Sequence, residues 1–332
     1  MNELFKLNLH LFAANTNVTT DTGLSDEMKT YYSDYMIDLV EPQLVHDQFG
    51  QKQPIPKNGG KTIEFRKYSP LAKALTPLTE GVTPNGQKLT MSVITATVAQ
   101  YGGYVELSDV LLLTAIDNNL LQATKLLASQ AGRTLDTVTR EVLQGGTNVY
   151  YCGGKSARAS LAYTDADTND CITFDDIRKA VRALKIQNAP KINGTYVAIV
   201  HPDVAYDIMS DPKWINVKTY SDPDDLYDGE IGKIEGVRFV ETTEAKVFKD
   251  AGASNRDVYG TLILGENAYG VTEVTGGGLT HIVKQLGSAG TADPLNQRAT
   301  AGWKAIKVAE RLVEQYMIRV ESVSSFDDAP TN

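Results

Sequence analysis

Lys61–Ser69 reads KTIEFRKYS, and Leu89–Ser108 reads LTMSVITATVAQYGGYVELS. In the first, Ile63 and Phe65 alternate with charged residues, the period-two pattern of a strand. The second is rich in β-branched and aromatic residues and has the same strand character. A turn at Asn58-Gly59-Gly60 precedes the first. Between the two lie Pro70, Pro77 and Pro84, with Gly81 and Gly86 and little to bury. The pattern predicts two β arms, within residues 51–107, and a long tip. A tip that cannot bury itself is either disordered or held by a neighbour. Strongly β-patterned arms need a partner surface, so the hairpin is expected to lie across another polypeptide.

Before the hairpin, residues 1–14 read MNELFKLNLHLFAA. Glu3, Lys6, Asn8 and His10 interrupt the apolar residues, whereas an export signal needs an unbroken apolar core. The alternation suits a short strand or an arm on a partner surface. Residues 13–25 are polar and loop-like. Ser25 is placed to cap a helix reaching about Phe49, with Met28, Tyr32, Tyr35 or Met36, Leu39 and Leu44 on one side and a kink at Pro42.

After the hairpin, Ser108 caps a short helix. A long one is predicted over 117–144, where Leu120, Leu127, Ala131, Leu135, Val138 and Val142 recur at helical spacing, and Gly145-Gly146 stops it. At a rise of ~1.5 Å per residue it would be roughly 42 Å long, a strut rather than a core helix. Residues 147–170 read as loop. A helix is expected from Phe174 to about Gln187, with Ile177, Val181 and Leu184 inward. The strand TYVAIV (195–200) leads into HPDVAYDIMSDPKW (201–214), a turn, short helix and turn. The strand TLILG (261–265) and the glycine-rich VTGGGLTHIV (274–283) follow. The closing block GWKAIKVAERLVEQYMIRVES (302–322) reads as strands, with Ile306, Val308, Leu312, Tyr316, Ile318 and Val320 sharing one parity. The sum is a mixed α+β chain.

The 332 residues are 42% hydrophobic and 22% charged, enough for a real core and two or three substructures. A net charge of −9 excludes a protein that coats DNA through basic patches, though not one that encloses it at a distance. Nothing is long or apolar enough to span a membrane, and no fixed-period repeat stands out. Cys152 and Cys171 form no disulfide framework or CxxC pair, which makes a reducing compartment the default. His10, His46, His201 and His281 show no metal-ligand spacing and read as surface or hydrogen-bonded histidines.

Three stretches could carry chemistry. GEIGKIEGVRFVETTEA (229–245) has Gly229, Gly232 and Gly236 beside Lys233. A phosphate loop needs GxxxxGK[ST] opening a helix. Here Ile234 follows the lysine and the run enters the strand VRFVETT, so the glycines are expected to permit left-handed turns. Residues 165–176 (DADTNDCITFDD) put Asp165, Asp167 and Asn169 on calcium-loop positions, with Ile172 as the aliphatic residue. Asp170 stands where glycine is required, and Asp176 where a longer Glu is usual. The competing reading is an acidic loop ending in a helix cap, with Thr173 as N-cap and Asp176 reaching back. No GxSxG elbow is present, and Cys152 has no His nearby in sequence. Asp224-Asp225 and Asp327-Asp328 read as solvated charge. No catalytic, cofactor or metal residue is assigned. Sixteen Tyr against eight Phe leans toward interfaces or toward ordinary β structure.

The order of elements, with MNELFKLNLHLFAA, GEIGKIEGVRFVETTEA, HPDVAYDIMSDPKW, YGTLILGENAYG (259–270) and TAGWKAIKVAERL…IRVES (300–322), resembles the major capsid protein of tailed bacteriophages, the Hong Kong 97-type fold. It is most similar to the subfamily typified by the capsid protein of coliphage N-four. The resemblance covers almost the whole chain through several weak matches in the right order. It implies an N-terminal arm and helix in 1–50, an extended β-hairpin loop in 51–107 and a peripheral domain in 108–169 with a spine helix at 117–144. Most of 170–300 would be an axial α/β domain, with strands 301–332 returning to the peripheral domain. It further implies pentamers and hexamers of an icosahedral head enclosing double-stranded DNA without sequence-specific binding. Assembly in the bacterial host cytoplasm, virion location, a portal protein, a possible decoration protein and a separate scaffolding protein are also implied. The last follows because only about fifty residues precede the hairpin. Some relatives crosslink a loop lysine; Lys73 and Lys88 lie in that region, and no such chemistry is assigned. The rivals are an encapsulin-like compartment, a calcium-dependent binding module using 165–176 and a phosphate-handling enzyme built on 229–245.

Overall fold

The computed structural model describes residues 44–54, 61–68, 71–114, 119–164, 170–214, 232–273, 279–288 and 293–327. Fifteen strands and four α-helices are described. The strands are β1 (Gln51–Gln53), β2 (Thr62–Tyr68), β3 (Met91–Thr97), β4 (Ala99–Ser108), β5 (Val149–Tyr151), β6 (Tyr196–Val200), β7 (Lys233–Ile234), β8 (Val237–Glu241), β9 (Val247–Phe248), β10 (Val258–Leu264), β11 (Tyr269–Thr272), β12 (Leu279–Lys284), β13 (Arg298–Lys307), β14 (Ala309–Arg311) and β15 (Met317–Ser322). The helices are α1 (Asp109–Thr114), α2 (Asn119–Gln144), α3 (Phe174–Ile186) and α4 (Pro202–Ser210). The chain is mixed α+β, as its patterning predicts.

The largest sheet runs β5-β15-β10-β6-β8-β7, with β9 beside β10. Its strands bury both faces, so β6 and β10 read as largely apolar runs, whereas β15 is equally buried but carries Arg319, Glu321 and Ser322. One face receives α3 and α4 in a core of Ile177, Val181, Leu184, Val204, Ile208, Tyr196, Val200 and Val320. Thr173 caps α3. Its hydroxyl accepts from the Asp176 amide, and the Asp176 carboxylate reaches back to the Thr173 amide at 3.3 Å. The expected capping box is therefore formed. Ser108 caps α1 in the same manner, accepting from Leu111 at 3.2 Å.

A smaller sheet, β12-β13-β4, lies along α2, which is about 39 Å long at ~1.5 Å per residue. Leu127, Ala128, Ala131 and Leu135 meet Ala301, Trp303 and Ala305. This corrects the parity expected for 302–322. The face of β13 turned to the helix is Ala301, Trp303, Ala305 and Lys307, not the face of Ile306. Small side chains let helix and sheet approach, while Val308 and Leu312 turn to the root of the β2–β3 hairpin. A break after Lys307 and a turn at Glu314–Tyr316 reset the register before β15, which joins the large sheet beside β10 and β5.

Two further expectations change. Residues 89–108 are not one strand: β3 stays in the hairpin, and β4 leaves it to pair with β13 along ten positions, Arg298↔Ser108 to Lys307↔Ala99. Residues 44–50 are turns, so the helix expected to reach Phe49 does not. Leu44, His46 and Asp47 are instead drawn into the body. The remainder of that helix, the N-terminal arm, His10 and Pro42 lie outside the described residues. Neither Gly145 nor Gly146, at the end of α2, takes the left-handed backbone, and a Cβ at either would meet first the mobile tip of Arg311 or Glu314.

Candidate functional site

The hairpin is pinned at its root and free beyond it. β2 and β3 pair from Thr62↔Thr97 to Tyr68↔Met91. At the root Ile63, Phe65 and Ala96 are buried with Ile94, Val98, Val308 and Leu312. Phe65 is 1% exposed. Its ring occupies the space a Cβ at Gly270 would need, 2.3 Å away. From Leu71 to Thr90 every residue is exposed, and none of the described residues covers the chain. Residues 71–90 form no strand or helix. They are held by a turn (Val82 N–H to Thr79 O, 3.1 Å) and by Gln87, whose amide donates to Ala72 O at 3.0 Å. Leu71, Leu75, Leu78, Val82 and Leu89 are exposed, Leu75 by 82% and Leu78 by 76%. Contiguous exposed apolar residues of this kind mark a surface awaiting a partner.

Exposed apolar side chains also lie on the small sheet, at Ile282 and Tyr104. Ile282, Gly302 and Tyr104 form one row across β12, β13 and β4. Their neighbours Trp303 and Gly103 face Gln130 of α2, so this row faces away from the helix. Tyr104, Val110, Leu113, Leu126 and Leu295 are also exposed.

Between hairpin and helix runs a seam of buried charge that patterning did not disclose. The Asp136 carboxylate accepts from the His46 backbone N–H at 2.8 Å and from its ring Nδ1 at 2.7 Å. Asp47 pairs with Lys307 and accepts from Thr139 Oγ1 at 2.6 Å. Tyr269 donates its hydroxyl to His46 O. Residues 44–50 thus strap α2 to β13 and β11, and β1 continues the strap in parallel with β11. Further along α2, the buried Arg140 donates to Glu244 O at 2.7 Å. Burial pushes the neighbouring Glu141 carboxyl up, but bonds from Lys246 and Arg140 outweigh it and hold it below the usual range. At the far edge of the large sheet, the fully buried Glu321 accepts both nitrogens of the Arg158 fork at 2.7 Å and lies 2.7 Å from Arg319. Arg158 also stacks 3.4 Å over the Phe248 ring. The only hint of the seam in sequence is charge at helical spacing on α2's apolar side: Asp136 and Arg140 lie next to Leu135 and Leu143.

The stretches read for chemistry fall as follows. Lys233 lies in β7, joined to β8 by a two-residue turn at Glu235 and Gly236, both with positive φ (53° and 78°). Gly232 is also left-handed at 72°. That is a hairpin turn, not an anion cradle, which disposes of the phosphate reading; Gly229 lies outside the described residues. So do Asp165, Asp167 and Asn169. Of the remaining acidic positions there, Asp170 accepts from the Ala162 amide at 2.8 Å, and Asp176 is held by Thr173 and by Tyr150 Oη at 2.7 Å. Among the described residues no three His, Cys, Asp or Glu side chains converge on a metal position. Cys152 and Cys171 are free and buried, and burial raises both thiols, Cys171 to about 12. His201 caps α4, accepting from the Asp203 amide at 3.3 Å, and burial lowers its pKa.

The sequence matches a family model described as phage capsid protein over residues 92–309. The chain belongs to this family. As a phage capsid protein it is a structural shell subunit, and the expectation of no enzymatic role rests on that membership. No curated protein matches the sequence. Among solved structures, the capsid of Ralstonia phage GP4 superposes with a TM-score of 0.65 at 16% identity, covering 86% of this chain and 87% of that one. The cyanophage Pam1 capsid gives 0.62 at 17% identity, covering 87% and 93%. The capsid of cyanophage P-SCSP1u gives 0.60 at 15%, covering 83% and 87%. These capsids share the mixed α+β Hong Kong 97-like fold of the present chain. For a capsid protein the functional surface is what meets other copies, so the uncovered tip and sheet row are its candidate sites. The buried charge seam is what holds them in place.

Proposed function

We propose that this is the major capsid protein of a tailed phage, assembling as pentamers and hexamers into an icosahedral head around double-stranded DNA. The observation that carries the reading is the contrast within one hairpin, buried at Phe65 and uncovered from Leu71 to Leu89. In this reading residues 71–90 gain their cover from an adjacent subunit, and α2 with the β12-β13-β4 sheet is the peripheral domain with its spine. The large sheet with α3 and α4 is the axial domain, and the N-terminal arm, within 1–50, reaches a neighbour. Head-to-tail contacts of this type close into rings when the rotation permits. Family membership favours a phage head over an encapsulin-like compartment. A separate scaffolding protein and a portal complete the particle, which is built in the host cytoplasm and has room for a decoration protein. The resemblance to the coliphage N-four subfamily supports the same picture. Electron microscopy of the purified protein, co-expressed with its scaffold, tests it. Uniform shells, tubes or capsomers are expected. A monomer that stays solitary at high concentration refutes it.

A further inference from the structure

On the outer side of α3 lies an open groove of about 650 Å³. Its rim is cationic, formed by Arg178, Lys179, Arg182 and Lys185, all exposed, and its floor is aliphatic, formed by the exposed Ile186 with an edge of the otherwise buried Val181. The near end of the rim is partly neutralised: Arg178 faces Glu235 at 3.8 Å and Lys179 faces Asp176 at 3.1 Å. Arg182 and Lys185, one and two turns on, have no carboxylate partner among the described residues. A chain of net charge −9 has placed four cations on one helix face beside exposed Ile186. That surface fits an acidic peptide with an apolar residue in its middle.

Such a segment exists in the same sequence. Ser221–Glu230 reads SDPDDLYDGE, with five carboxylates, no Lys or Arg, and Leu226-Tyr227 at its centre. It lies outside the described residues, but the positions where the chain departs and returns do not. Trp214 is buried against Phe239, and Lys213 pairs with Asp175 at the start of α3. The chain returns at Gly232, just before Glu235 at the groove's rim. The intervening 215–231 has a contour of up to roughly 56 Å, enough for a loop to reach an adjacent copy. A basic groove and an acidic segment of the same chain have the complementary charge that a heterologous ring contact requires.

We propose that the α3 groove receives the acidic segment 221–230 of a second copy of this chain, its aspartates on Arg182 and Lys185 and Leu226-Tyr227 on Ile186. This rests on the shell reading above, and the test is made only on particles that have formed, so the two fail separately. Particles are assembled from equal amounts of ¹⁴N- and ¹⁵N-labelled protein and treated with a water-soluble carbodiimide. The reagent joins a lysine amine to a carboxylate as an amide and leaves as its urea. Mass spectrometry then reads the linked peptides. Links from Lys185 or Lys179 to Asp222, Asp224, Asp225 or Asp228, half of them between unlike isotopes, are expected. They should weaken severalfold when the reaction is run in 1 M salt, where screening acts within ~3 Å. Links between like isotopes alone would mean that each chain covers its own groove and would overturn the proposal. So would the absence of links to 221–230, or lysines that react only after nuclease treatment, which would assign the groove to nucleic acid.

Discussion

Replacing Lys307 by Met tests whether the strap 44–50 is held by charge. The Lys307 ammonium is fully buried, and its partner Asp47 is nearly so. Removing the ammonium leaves a carboxylate inside the protein with one remaining donor, Thr139 Oγ1. An uncompensated buried charge destabilises by about 3–5 kcal/mol, a factor of roughly 150 to 5,000 in the unfolding constant. Removing both charges, as in Asp47→Leu with Lys307→Met, should bring stability back near wild type, because well-packed apolar pairs replace buried ion pairs at little cost. Thr139 tolerates this: its hydroxyl can turn to Leu135 O, 3.4 Å away. The assay is urea unfolding of the unassembled subunit, with the m-value held constant as the check that the denatured state is unchanged. Amide exchange at 45–50 should accelerate in the single variant and recover in the double. If Lys307→Met loses less than about 1 kcal/mol, or the double variant is as unstable as the single, the strap is held by packing of Leu44 and Phe49 and the argument from charge is wrong.

Deleting 71–90 and closing β2 to β3 with Asn-Gly should leave the melting temperature of the unassembled subunit nearly unchanged, since the tip covers nothing, while sedimentation shows loss of particles. Phe65→Ala should destabilise by about 3–5 kcal/mol and expose the hairpin root to protease, because it vacates the space over Gly270. Gly236→Val should lower stability by at least about 1 kcal/mol in a thermal melt, as φ of 78° is strained for a β-branched residue. Cys171, raised to about 12 by burial, holds its proton when folded where the unfolded thiol, near pH ~8.5, releases it. Its contribution is therefore complete below pH ~8.5 and is lost as pH rises toward 12. A Cys171→Ala variant should show a flatter decline in stability over that alkaline range, and in the wild type neither thiol should react with a disulfide reagent at pH 8 before unfolding.

Period and punctuation made much of the fold legible. Thr173 and Asp176 announced their helix, and the spacing of Leu127, Ala131 and Leu135 announced α2, because local hydrogen bonds and one buried face fix such elements. The proline-spaced run from Leu71 to Leu89 announced its own failure to pack. The face of β13 was not legible, since bulk misled. Ile306 and Val308 are larger than Ala301 and Ala305, yet the helix-facing side is the other one, where two alanines flank Trp303. The break at Val98 was also hidden, because β3 and β4 are equally β-patterned and only long-range pairing with β2 and β13 separates them. The charge seam was illegible because its partners lie far apart in sequence: Asp47 and Lys307 are separated by 260 positions.

The seam and the tip belong to one physical arrangement. A hairpin that projects uncovered apolar residues must resist folding back over its own body, and a purely apolar root would offer many alternative seatings of similar energy. Here the root is keyed by shape at Phe65 and Gly270, and the strap beside it is keyed by pairs with one geometry each, His46 with Asp136 and Asp47 with Lys307. Such pairs add little net stability but penalise every register that separates them. Exchanging His46 for Leu and Asp136 for Asn, whose amide oxygen still accepts the residue-46 backbone N–H, should therefore preserve the melting temperature within a few degrees while broadening the hairpin's orientation, read as a wider spin-label distance distribution between Leu75→Cys and Lys125→Cys. An unchanged distribution in that variant would show that Phe65 alone sets the direction of the hairpin.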